Sequence, residues 1–180
     1  MNEQQINTLA KNIELVVFDV DGVFTDGRIY IDNQGEETKA FNVRDGHGVR
    51  MLIHYGVQVA VISGRNSQAV NYRMKELQVT DILQGHMNKR SAFDELAKQK
   101  GLQYSHMAFV GDDIIDVQAM QLAGLSFAVA DAHEWVKSHA DVVTERNGGE
   151  GAVREVCELI LDAKGLLREA LNYNLQSVSY

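Results

Sequence analysis

The chain has 180 residues, 45% of them hydrophobic and 23% charged, with a formal net charge of −8. That acidic balance excludes a general nucleic-acid binder, which needs a basic footprint, and no apolar stretch is long enough to span a bilayer. The opening MNEQQINTLAKNIE lacks the basic start and apolar core of a secretory signal, and Cys157 is the only cysteine. No intrachain disulfide can form, and a cytoplasmic protein is expected.

In chain order, the apolar residues 15–20 read as the first buried strand. The run ends in Asp19-Val-Asp21-Gly, two carboxylates where an open α/β sheet keeps its ligand crevice. Acids that close repel each other, and a divalent hard cation such as Mg²⁺ is the usual remedy. Residues 28–43, RIYIDNQGEETKAFNV, read as two short strands around an Asp-Asn-Gln-Gly turn. This β-hairpin follows the acidic motif directly and is expected to hang over the crevice. Further strands are predicted at 57–62, 80–83, 107–110, 125–129 and 141–143.

Helical patterns lie between them. Val70, Met74 and Leu77 share one face; Val117, Met120 and Leu122 do so roughly; Val153, Val156, Cys157, Ile160 and Leu161 form a clean stripe. Strand alternating with helix predicts an α/β fold, a Rossmann-like, doubly wound, mainly parallel sheet in one domain over residues 1–180. A small β-hairpin insertion interrupts that alternation. The tail, 166–180, carries leucines and tyrosines without a clean period, so it either frays or docks on another subunit. Gly148-Gly149-Glu150-Gly151 lacks the Lys-Ser/Thr of a phosphate-binding P-loop and reads as a turn before a helix.

Four pieces stand at successive strand ends: Asp19-Val-Asp21; Ser63-Gly64-Arg65; Lys89, just before a helix; and Gly111-Asp112-Asp113-Ile-Ile-Asp116. Phosphoryl transfer needs such parts. A carboxylate can attack phosphorus, positive charge and donors steady the equatorial oxygens, and a second carboxylate can move the proton. In this order the set resembles the haloacid dehalogenase-like phosphohydrolases over roughly residues 13–145.

The resemblance implies Asp19 as nucleophile and Asp21 as general acid and base, with Ser63 and Lys89 holding the phosphoryl group. It implies Mg²⁺ on Asp19, on the backbone carbonyl of Asp21 and on Asp112, with Asp113 and Asp116 in support. On residues alone, Asp113 is equally an N-cap. DVDGVFTDG, FNVRDGHG and ISGR together resemble the cap-less subgroup of phosphatases acting on an eight-carbon sugar-acid phosphate, 3-deoxy-D-manno-octulosonate 8-phosphate. Val23 stands where many superfamily members carry threonine, in agreement with that subgroup. The subgroup's pattern places substrate contacts on Asn42, Val43, Arg44, Asp45, Gly46, Arg50, Arg65, Arg73 and Lys89, with Asp21 beside them. It further implies a small-molecule phosphorylated sugar acid as substrate, a role in making the inner sugar of lipopolysaccharide, and a homotetramer. Other sugar phosphates or nucleotides, or binding of a phosphosugar without catalysis, are the alternatives. His47 either touches substrate or is a polar surface residue.

Overall fold

The computed structural model describes residues 1–176, with side chains through Tyr173. The chain runs α1 (Glu3–Asn12), β1 (Leu15–Phe18), β2 (Tyr30–Ile31), β3 (Glu37–Thr38), α2 (Val43–His54), β4 (Gln58–Ile62), α3 (Gln68–Glu76), β5 (Asp81–Leu83) and α4 (Lys89–Lys100). It continues through β6 (Met107–Gly111), α5 (Val117–Met120), β7 (Leu125–Ala128), α6 (Glu134–Lys137), β8 (Val142–Val143), α7 (Ala152–Ala163) and α8 (Leu167–Gln176).

Six strands form one parallel sheet in the order β5-β4-β1-β6-β7-β8. Every residue of β1 is buried, because helices cover both faces of a doubly wound sheet. From β1 the chain moves outward through β4 and β5, then returns to lay β6 on the other flank of β1. That reversal opens a crevice past the carboxyl ends of β1 and β6. Phe18 is in register with Val61 on β4 and Val110 on β6, so the residues that follow all three strands emerge at one edge.

The predicted strand over 15–20 stops at Phe18. The Val20 carbonyl instead accepts the Phe24 and Thr25 N–H groups at 2.9 and 3.2 Å, curling the chain into a turn. The hairpin exists but pairs only Tyr30 with Thr38 and Ile31 with Glu37, antiparallel and apart from the main sheet. The stripe on α7 is wholly buried, Cys157 included. The face of Val117 and Met120 makes only a single turn, α5. At the start of α1, Asn2 and Gln5 close a capping box, and Ala10 is buried. The tail forms α8, and residues 177–180 lie outside the described part. Among the described residues no helix is long and apolar enough to cross a membrane.

Candidate active site

β1 delivers Asp19 to the crevice, where its N–H donates to the Val110 carbonyl of β6 at 2.9 Å. Lys89 opens α4, whose start is capped by Asn88 accepting from the Ser91 N–H at 3.1 Å. The Lys89 side chain is fully buried, with Nζ 2.8 Å from Asp19 Oδ1 and 2.5 Å from Asp116 Oδ1. Asp116 ends the short 3₁₀ turn after β6, and its Oδ2 accepts the Asp112 and Asp113 N–H groups at 3.0 and 3.1 Å. Asp19, Asp112 and Asp116 each bring a carboxylate oxygen within 4.8 Å of the others.

Two buried acids and a half-buried one around one lysine leave negative charge uncompensated. Burial and the neighbouring Asp116 push Asp19 up to about 7, although Lys89 pulls the other way. Burial, then Asp19 and Asp116, push Asp112 up to about 9. Burial works against the Lys89 charge, but Asp19 and Asp116 outweigh it and raise its pKa. A divalent cation fits this deficit. Asp112 Oδ1 is buried and has no hydrogen-bond partner among the described residues. A Cβ on Gly22 would stand 2.1 Å from Asp112 Oδ2, so only glycine leaves that oxygen clear. An all-oxygen donor set of this kind suits Mg²⁺.

The raised carboxyls predict how stability responds to pH. Folding keeps protons on them that the unfolded chain releases near its ordinary value of 3.8. Their contribution without metal is therefore complete below that value and lost as pH rises through about 7 and then about 9. Mg²⁺ takes the place of those protons, so its stabilisation grows over the same window. At about 100 times its Kd near pH 8, Mg²⁺ is expected to raise Tm by roughly 5–10 °C. The same concentration near pH 6 should raise it less. Thermal melts across this range check the ligand set, and a metal effect that shrinks with rising pH would contradict it.

Ser63 follows β4 at the same edge, buried, its hydroxyl accepting the Arg65 N–H at 3.2 Å. The Asp21 side chain stands outside the acid cluster and meets the hairpin and Arg65. Lys39 Nζ contacts its Oδ1, and Arg65 Nε is 3.8 Å from its Oδ2. Glu37 binds both cations, Lys39 at 3.0 Å and Arg65 Nη2 at 2.5 Å. The hairpin therefore does reach over the crevice, held by charge. Lys39 and Glu37 were not among the expected site residues. Their spacing of two, which puts both side chains on one face of an extended strand, was the available signal.

The other expected residues divide. Asp116 lies in the acid cluster, with its oxygens taken by Lys89 and two backbone N–H groups. Asp113 is exposed and its carboxylate accepts from the Ile114 N–H, the cap alternative. Asn42 caps α2 through the Arg44 N–H and donates to the Gly149 carbonyl at 3.1 Å. Asp45 is fully buried and accepts the Arg154 N–H in the first turn of α7 at 2.9 Å. A Cβ on Gly46 would meet Arg73 Nη2 at 2.2 Å, and one on Gly48 would meet Arg154 and Cys157 at 3.0–3.2 Å. Much of the NVRDGHG segment is thus the seam between α2, α3 and α7. Val43 is exposed.

Within one chain the structure does not bring Arg44, Arg50 or Arg73 to Asp19. Arg44 lines a cavity of about 490 Å³ with Arg146, Arg154 and three glutamates. Arg50 lies with His47, His54 and Tyr55, and Arg73 pairs with Glu76 at 2.8 Å. His47 is exposed there, with no catalytic partner. The 148–151 turn clamps the acidic loop, since the Gly149 N–H donates to the Val23 carbonyl at 2.9 Å. A Cβ on Gly148 would fall 1.7 Å from the Gly22 carbonyl oxygen.

Comparison with known proteins agrees with this geometry. Residues 67–156 match the model of the haloacid dehalogenase-like hydrolases. The 3-deoxy-D-manno-octulosonate 8-phosphate phosphatase KdsC of Escherichia coli K12 is 50% identical over 161 residues, which are 89% of this chain and 86% of that one. The crystal structure of the phosphatase of the same name from Yersinia pestis superposes with a TM-score of 0.90 at 48% identity, over 91% of this chain and 89% of that one. The Moraxella catarrhalis enzyme, solved with a magnesium ion, a phosphate ion and a KDO molecule, gives a TM-score of 0.94 at 40% identity, over 96% and 99%. With identity of that level over most of both chains, the chain belongs to the haloacid dehalogenase-like hydrolases, in the family of 3-deoxy-D-manno-octulosonate 8-phosphate phosphatases.

Proposed function

We propose that this chain is a Mg²⁺-dependent phosphomonoesterase that releases phosphate from 3-deoxy-D-manno-octulosonate 8-phosphate, leaving the free sugar acid. The observation that carries it is Asp19, Asp112 and Asp116 gathered around the buried Lys89 at the sheet edge, in a chain 50% identical to a phosphatase of that name.

Asp19 attacks phosphorus and forms an aspartyl-phosphate as the P–O bond to the sugar breaks. Asp21 gives its proton to the leaving oxygen, then takes one from the water that cleaves the acyl phosphate. Lys89 and the Ser63 hydroxyl steady the phosphoryl oxygens. Asp116 holds Lys89 in place. Asp19, Asp112 and the backbone carbonyl of Asp21 would hold Mg²⁺, which when bound offsets the repulsion between nucleophile and phosphate. Arg65, whose Nε stands 3.8 Å from Asp21, is the arginine best placed to meet the sugar-acid carboxylate.

A homotetramer of one-domain chains in the cytoplasm belongs to the same reading, with the product going to the inner sugar of lipopolysaccharide. Two observations support assembly. Arg44, Arg50 and Arg73 lie off the Asp19 crevice of their own chain, and Ile29, Tyr30, Ile31 and Val43 leave the hairpin region with exposed apolar side chains. A panel of phosphorylated sugars, sugar acids and nucleotides assayed with Mg²⁺ tests the substrate. A kcat/KM for the eight-carbon sugar-acid phosphate about 100-fold or more above the rest is expected for a dedicated site. Flat rates across the panel would assign a general phosphatase, and no phosphate release at all would favour a binding protein.

A further inference from the structure

Lys39 stands one residue beyond β3, and its side chain is only 1% exposed. A lysine so buried is costly to desolvate and needs close anionic partners. It has two, Asp21 Oδ1 and Glu37 Oε1. Glu37 is a firm anchor. Burial alone would lift its carboxyl, but the hydrogen bond from Arg65 and the adjacent Lys39 ammonium hold it down at about 2. The Lys39 ammonium is thus fixed from the hairpin side before it touches Asp21.

The Asp21 side chain is 20% exposed, open enough to sample several rotamers if left alone. Proton delivery to a leaving oxygen needs one of them, because a misplacement of about 1 Å can cost about 100-fold. We propose that Lys39 is a positioning residue for Asp21: tethered by Glu37, it pins Oδ1 and turns Oδ2, which Arg65 Nε approaches only to 3.8 Å, toward the leaving oxygen. The hairpin then serves the chemistry as well as covering it. This rests on Asp21 as the proton donor in the reading above.

Lys39→Met and Lys39→Arg, made in the full chain and assayed with Mg²⁺, separate this role from a merely structural one. Leaving-group release is followed in a single turnover with two substrates. The first is the sugar-acid phosphate, or whichever alkyl phosphate the unmodified protein cleaves; the second is p-nitrophenyl phosphate. An alkoxide must be protonated to depart, whereas nitrophenolate need not be. Lys39→Met is expected to slow alkyl release by about 100-fold while aryl release stays within about 3-fold of the unmodified protein, with Lys39→Arg recovering most of the alkyl rate. Intact aryl release also shows that the variant is folded. Equal losses on both substrates with no recovery by arginine, or no loss on either, would overturn the proposal. So would a raised KM with unchanged kcat, which would make Lys39 a substrate contact. Failure of the unmodified protein on the sugar-acid phosphate would instead sink only the substrate assignment.

Discussion

Asp19→Asn is expected to lower kcat/KM by about 10⁴-fold or more while the protein stays folded. The amide keeps the shape of the side chain and can still accept from Lys89, but it is not a nucleophile toward phosphorus. Stability should not suffer, because the charge removed is one the metal-free protein holds under protest: burial and Asp116 already lift that carboxyl to about 7. Lys89 keeps its 2.5 Å partner in Asp116. Without Mg²⁺ the variant should therefore melt at or above the temperature of the unmodified protein near pH 8. Phosphate-release assays beside thermal melts check both halves. A folded variant with full activity would remove Asp19 from the chemistry.

Lys89→Met should do the opposite and unfold the site from within. Lys89 is the cation placed among Asp19, Asp112 and Asp116, and it is fully buried. Removing one partner of a buried pair while leaving the other charged costs about 3–5 kcal/mol. In a chain of this length that lowers Tm by roughly 10 °C or more. The sign with pH follows from the acids left behind. Deprived of the lysine that pulls them down, Asp19 and Asp112 rise further, so the deficit should be worst near pH 8 and should ease toward pH 5 as they take up protons. Mg²⁺ should restore part of the loss at the higher pH. Melts with and without Mg²⁺ at the two pH values test this, and a deficit independent of pH would mean that Lys89 acts by packing alone.

The parts of this fold legible in the sequence are those with a single physical reading. β1 and β6 are apolar without alternation because both faces are covered, and their acids fall where the strand must end. The α7 stripe has one period and one buried face. Elsewhere two readings had equal chemistry. Asp113 and Asp116 are both acids after one strand, and only the tight turn between them decides which oxygen faces inward. Asn42 and Asp45 are residue types that suit either a ligand or a helix seam, and the backbone partners that make them a seam are Gly149, in the turn before α7, and Arg154, in its first turn, 107 and 109 residues away. Lys39 looked like any lysine of a polar hairpin. Its burial rests on two carboxylates, the nearby Glu37 and Asp21, 18 residues away, and the spacing of two encodes only the first of them.

The clamp of Gly148 and Gly149 on the loop after β1 has a bearing on how the molecule comes into being. Asp19, the proposed nucleophile, is made early in synthesis, but the loop that carries it is closed by residues made late. Contacts of such long sequence separation form slowly, because the chain between them must be ordered first. A nascent chain released only as far as α5 would hold Asp19, Lys89, Asp112 and Asp116 with no lid on the acidic turn, an unshielded cluster of repelling charges. The acidic turn is then closed only once residues 148–149 have been made and folded back onto it.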